Sequence, residues 1–98
     1  MVKHIVMWKL KDFAESRTKE ENKNIIKNNL EKLRGQIEGL LELEVGFPFN
    51  AGAFDLCLYS TFKDKAALQF YTDHPLHKEN QKYTRAVISE RIAADYEI

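Results

Sequence analysis

The first ten residues divide into two faces at period two. In VKHIVMWKL, Val2, His4, Val6, Trp8 and Leu10 fall on one face at period two, while Ile5 and Met7 share the other with Lys3 and Lys9. A strand that is apolar on both faces at its middle belongs in the centre of a sheet covered on both sides. The polar stretch KDFAESRTKEEN follows, in which Thr18 and Glu21 have the spacing of a capping box and Ser16 is a competing cap. Ile26, Leu30, Leu33 and Ile37 then recur at steps of four, three and four, with Ile25 widening the stripe. That spacing predicts a helix with one buried face, its end bracketed by Gly35 and Gly39.

LLELEVGFPF alternates again, with Leu41, Leu43, Val45, Phe47 and Phe49 on one side and Glu42 and Glu44 on the other. Pro48 cannot donate a ladder hydrogen bond, which puts this strand at an edge or ends it early, and NAG at 50–52 supplies a turn. In FDLCLYSTF, Phe54, Leu56, Leu58 and Phe62 oppose Cys57 and Tyr59, so a second strand reads as buried on both sides. Asp64 can cap a helix over about Lys65 to Asp73, with Ala67, Leu68, Phe70 and Tyr71 inward. The residue before a proline avoids helical geometry, so this helix breaks near His74 and Pro75 suits the first turn of a further segment. SERIAADYEI closes as a strand in which Ile92, Ala94 and Tyr96 alternate with Arg91, Asp95 and Glu97.

Strand, helix, strand, strand, helix, strand is the ferredoxin-like βαββαβ plan of the α+β class, here one domain over residues 1–98. Right-handed crossovers put both helices on one face of a four-stranded antiparallel sheet whose first and third strands are central. Two helices cover only one face. The simplest cover for the other is the same sheet of a second copy, which predicts a homodimer with sheets face to face. At 98 residues the chain buries only about two-thirds of its unfolded surface, so association would help it.

Fifteen Lys and Arg balance fifteen Asp and Glu, leaving no net field to attract nucleic acid. RNA-binding domains share this strand order, but the basic glycine-aromatic motif of their third strand is absent. Cys57 is the only cysteine, which excludes an intrachain disulfide and a Cys-based zinc site and suits a reducing cytoplasm. No apolar run approaches the roughly 18 residues of a membrane helix, and Lys3, His4 and Lys9 interrupt the N-terminal stretch, so neither a membrane span nor a signal peptide is expected.

Two of the three histidines sit in FYTDHPLHKEN at 70–80, either side of Pro75. Tyr71, His74 and His77 follow at steps of three, a spacing that could keep them on one side, and His4 would lie beneath them if its face of the sheet is the helix-covered one. On these residues alone the structural account is the simpler: His74 caps the next segment, Tyr71 is a core aromatic and His4 a bonded interior histidine. No HExxH pattern is present, and the four glycines are scattered at 35, 39, 46 and 52 rather than gathered in a phosphate loop. Neither metal nor cofactor is expected.

VKHIVMWKL, LELEVG, FDLCLYSTFKDKAALQFYTDHPLH and ERIAADYE together resemble the stress-responsive A/B barrel (Dabb) family over nearly the whole chain. Its most specific trait is the His-Pro-any-His run of His74 to His77 after an aromatic helix. The resemblance implies a dimeric α+β barrel of ferredoxin-like subunits. Most members have no assigned reaction; one activity within the family is a polyketide cyclase that closes a ring by aldol condensation. The positions matching His77 and Tyr71 are its catalytic pair and the position matching His4 lines its pocket. The resemblance thus implies His77 as base, Tyr71 as donor to the developing oxyanion, and His4, Val6, Trp8 and His74 as substrate-binding. The first helix offers Asn22, Ile25, Ile26 and Asn29 where that cyclase is more aromatic, so its substrate does not carry over. The expected function is binding of a small apolar carbonyl compound, with its transformation left open. The alternatives are a non-catalytic, stress-protective homodimer and a monooxygenase-like dimeric barrel.

Overall fold

The computed structural model describes residues 1–50, 52 and 54–98. Alternation makes Val2–Leu10 the strand β1, with Val2, His4, Val6, Trp8 and Leu10 buried and Lys3, Ile5, Met7 and Lys9 half-buried on the opposite face. A small hairpin that the pattern does not announce follows: β2 (Phe13–Ala14) pairs with β3 (Arg17–Thr18). Its two turn residues, Glu15 and Ser16, have φ of 52° and 60°, the left-handed pair that a two-residue hairpin requires. Ser16 is thereby spent on the turn, and Thr18 caps α1 (Lys19–Glu31) in a complete capping box with Glu21.

α1 stops at Glu31, earlier than the apolar stripe suggests. The chain tightens into turns in which Leu33 N–H donates to Leu30 at 3.0 Å and Gln36 N–H to Leu33 at 3.0 Å, and Gly35 takes φ of 75°. Leu33 and Ile37 are buried all the same, as turn residues rather than helical ones. Gly39 is needed twice over: its φ is +87°, and a Cβ there would lie 2.5 Å from Cβ of Ala67.

β4 (Leu40–Gly46) is an edge strand and ends before Pro48. Leu43 and Val45 are buried, but Leu41, Phe47 and Phe49 depart from the expected face. An irregularity between Leu40 and Glu42 leaves Leu41 exposed, and the ladder ends at Gly46 before the phenylalanines. Phe47 lies instead under the ammonium groups of Lys23 and Lys27, at 4.6 and 5.8 Å from the ring centre. Of the expected turn at 50–52, Ala51 is outside the described residues; Gly52 is in a turn with φ of 76°. β5 (Leu56–Phe62) leads to α2 (Lys65–Asp73), capped by Asp64, which accepts from the Ala67 N–H. Tyr71 is fully buried and Ala67 and Leu68 partly so, whereas Phe70, expected inward, is exposed. α3 (Pro75–Val87) and β6 (Ile88–Glu97) complete the chain.

The sheet order is β4-β5-β1-β6, all antiparallel, so the two strands with apolar residues on both faces are the central pair. The register fixes which side of β6 looks where. Arg91 and Asp95 stand beside Trp8 and His4 on the helix side, and Ile92, Ala94 and Tyr96 stand beside Met7, Ile5 and Lys3 on the other. That other face has no cover among the described residues: Ile92 and Tyr96 are 50% and 49% exposed, and Ile5, Met7, Cys57 and Tyr59 are half-buried.

Candidate functional site

His4 owes its position to the alternation of β1, which turns it under the helices between Val2 and Val6. Its cross-strand neighbour is Asp95, and Nδ1 of the imidazole bonds the Asp95 carboxylate. That contact fixes the orientation of the ring. The His4 ring stands edge-on to both Phe62 and Tyr71, with ring centres 6.2 Å apart in each case.

Tyr71 and His77 come from either side of the proline break. His74 takes an extended conformation before Pro75, which ends α2 and starts α3 at a new angle, and so brings the two rings to 4.3 Å between centres, tilted by 46°. Tyr71 is 1% exposed. The Tyr71 hydroxyl and Nδ1 of His77 are both buried, and neither has a hydrogen-bond partner among the described residues. Unpartnered buried polar groups cost about 1–3 kcal/mol each, so two on adjoining rings need a reason. Burial pushes the Tyr71 phenol up to about 12 despite the opposing Arg91 charge. Burial also brings His77 down to about 4, helped by positive charge at His4, Arg91 and Arg85. At neutral pH the pair is therefore a neutral phenol that donates and a neutral imidazole with a lone pair to offer.

Both rings open on a cavity of about 230 Å³. Val6, Trp8 and Leu58 line it from the sheet and Leu30 from α1, while Asn80, Gln81, Thr84 and Arg85 descend one side of α3. Ile88 and Arg91 close the β6 end. Of the residues singled out from sequence, His4, Val6, Trp8, Tyr71 and His77 all line the cavity. His74 does not: its Nδ1 accepts the Leu76 N–H at 3.1 Å, and its ring packs edge-on against exposed Phe70, 5.5 Å away. The proline that brings His77 inward turns His74 back on the first turn of α3. Sequence reasoning missed Arg85, Arg91 and Asp95. The helical continuation from His77 through Gln81 to Thr84 was readable as one face; the side of β6 was not.

A second, more open depression of about 390 Å³ lies against β4, between Arg34 and Tyr59. Its guanidinium is already satisfied, Nε donating to the Leu43 carbonyl at 2.6 Å and Nη2 pairing with Glu31 at 3.3 Å. Among the described residues no three His, Cys, Asp or Glu side chains gather as a metal centre would need, and no helix is long and apolar enough to cross a membrane.

A four-stranded sheet with helices on one face and a histidine- and tyrosine-lined cavity between them defines a ferredoxin-like α+β subunit. The stress responsive A/B barrel domain, the Dabb family, matches residues 2–98, and the chain belongs to that family. The chain is similar to a dimeric protein of unknown function and ferredoxin-like fold from Bacteroides fragilis, with 33% identity, a TM-score of 0.83, and 99% and 95% of the two chains covered. It is also similar to a hydroxynitrile lyase from Passiflora edulis, with 20% identity, a TM-score of 0.83, and 99% and 92% covered. An antibiotic biosynthesis monooxygenase follows at 16% identity, a TM-score of 0.73, and 100% and 98% covered. The likeness to the last two is one of fold. No match to the sequence is found among curated proteins.

Proposed function

We propose that the chain works as a homodimer, joined through the bare sheet faces, whose subunits each bind a small apolar carbonyl compound and take a proton from the carbon beside its carbonyl. One observation carries the reading: two buried, unpartnered polar atoms of complementary character, the Tyr71 hydroxyl and Nδ1 of His77, belong to adjoining rings that line the same cavity. A carbonyl oxygen within reach of Tyr71 would satisfy the hydroxyl and be polarised by it, and the imidazole would then take the adjacent proton. Because burial holds His77 near 4, it is a weak base, and the polarisation by Tyr71 has to do much of the activation. His4, oriented by Asp95, places a third polar group on the floor. A hydroxynitrile lyase is built on this same fold. The dimeric relative and the exposed apolar residues of the bare face support the homodimer. Cys57, half-buried on that face, suits a reducing, cytoplasmic setting.

The test is proton exchange from small ketones in heavy water, followed by NMR. His77→Ala and Tyr71→Phe should abolish exchange and leave the far-ultraviolet spectrum and melting temperature in place; Tyr71→Phe, which removes an unpartnered hydroxyl, should not destabilise at all. Exchange surviving in both variants, or unfolding of both, would defeat the reading. The rival reading, a non-catalytic protective assembly, rests on the same bare face. It is favoured if no carbonyl compound raises the melting temperature, since a ligand at 100 times its dissociation constant adds about 2.7 kcal/mol.

A further inference from the structure

The chain balances fifteen basic against fifteen acidic side chains, yet the cavity lining includes Arg85 and Arg91 and no carboxylate. Asp95, on the same side of β6, is taken up by His4. Among the described residues no carboxylate lies within ion-pair distance of either guanidinium, whereas Arg34 and Lys27 both reach Glu31. Arg85, in the last turn of α3, also suits the negative end of that helix. Arg91 has no such role, standing on a strand beside Trp8. Both arginines are exposed while Val6, Trp8 and Tyr71 are buried, so the charges form a rim and the apolar side chains a floor. Both charges are felt inside, since each opposes protonation of His77.

We infer that the ligand is an oxo acid: one carboxylate held at the rim by Arg91 and Arg85, with an apolar body running over Trp8 towards Tyr71 and His77. This rests on the carbonyl reading above and narrows it. The planar guanidinium fork matches a carboxylate, and a rim with two unpaired forks leaves a neutral ketone short of its strongest contact. A cavity of about 230 Å³ also keeps the guest small, below the roughly 300–1,000 Å³ of drug-sized sites.

Phenylpyruvate and phenylacetone share a benzyl ketone and differ by the carboxylate, so the pair separates the two ideas. Calorimetric titration of the whole chain at low salt should find phenylpyruvate bound about tenfold tighter or better. Arg91→Gln and Arg85→Gln should each shrink that ratio to about threefold or less without lowering the melting temperature, and added salt should shrink it in the wild type. Equal affinity for the two probes would overturn the oxo-acid inference and leave the carbonyl cavity standing. A preference that survives in both arginine variants would overturn it equally. Binding of neither probe would bring down both readings.

Discussion

His77 ties the cavity to the stability of the whole fold, and the tie can be read from pH. The imidazole has an ordinary value of 6.5 and is held at about 4 in the folded chain, chiefly by burial and then by positive charge at His4, Arg91 and Arg85. Between those two values the unfolded chain carries a proton that the folded chain refuses. Stability therefore falls as pH drops from 6.5 towards 4, and this contribution is flat above about 7. At 1.36 kcal/mol per pH unit the whole interval corresponds to about 3.4 kcal/mol. The ring is only half-buried, and screening by water at the cavity opening reduces the expected loss to about 1–2 kcal/mol. Urea unfolding of wild type and His77→Phe at pH 7.5, 5.5 and 4, at one protein concentration, measures it. Glu21 and Glu31, whose carboxyls are held below their ordinary range by Thr18 and Lys27 respectively, also lose stability in acid, but they do so in both proteins and cancel in the difference. The wild type should lose about 1–2 kcal/mol more than the variant between pH 7.5 and 4. Parallel curves would refute the claim that the fold holds this imidazole neutral.

Asn22 is fully buried, donates to the Ala14 carbonyl at 3.1 Å and accepts from the Tyr83 hydroxyl, so Asn22→Leu should cost about 2–4 kcal/mol in urea unfolding, with part recovered by adding Tyr83→Phe; a cost under 1 kcal/mol would sink that account. Gly39→Ala meets both a left-handed backbone and the Ala67 Cβ, and should lower stability by about 1–3 kcal/mol; an unchanged melting temperature would show that the two segments can simply part. Met7→Asp puts a charge in the middle of the bare sheet face and should convert the dimer to monomer in sedimentation velocity, whereas an undisturbed dimer would move the interface elsewhere.

The parts of the fold legible in the sequence are those whose physics is local or repeats along one element. β1 and β5 announced themselves as central because they alternate with apolar residues on both sides, and Thr18 and Glu21 announced the start of α1. The end of α1 was not readable, because Leu33 and Ile37 are buried whether the chain there is helical or turning, and only the left-handed Gly35 decides between the two. Phe47 and Phe49 misled for a related reason: their alternation continues past the point where β5 stops offering partners. His74 and His77 share a sequence pattern and diverge in space, since one proline sends them to different sides of a helix junction.

β6 is where pattern and structure part most usefully. Ile92, Ala94 and Tyr96 would be expected to face the chain's own core, with Arg91 and Asp95 in solvent. The register with β1 does the reverse, placing the charged residues on the helix side beside Trp8 and His4 and the apolar ones on the bare side. For an isolated subunit this wastes apolar surface on water and brings charge to the margin of the core, which is unfavourable on both counts. The same arrangement is favourable if the bare face packs on a second copy and the helix side of β6 serves a ligand. Asp95 then orients His4, Arg91 waits at the rim, and the apolar residues complete an interface with Ile5 and Met7. One strand's register thus supports dimer and cavity together. A monomeric Met7→Asp variant that still prefers phenylpyruvate over phenylacetone would show that the two can be separated; loss of that preference on dissociation would show that the partner's sheet holds β6 in place.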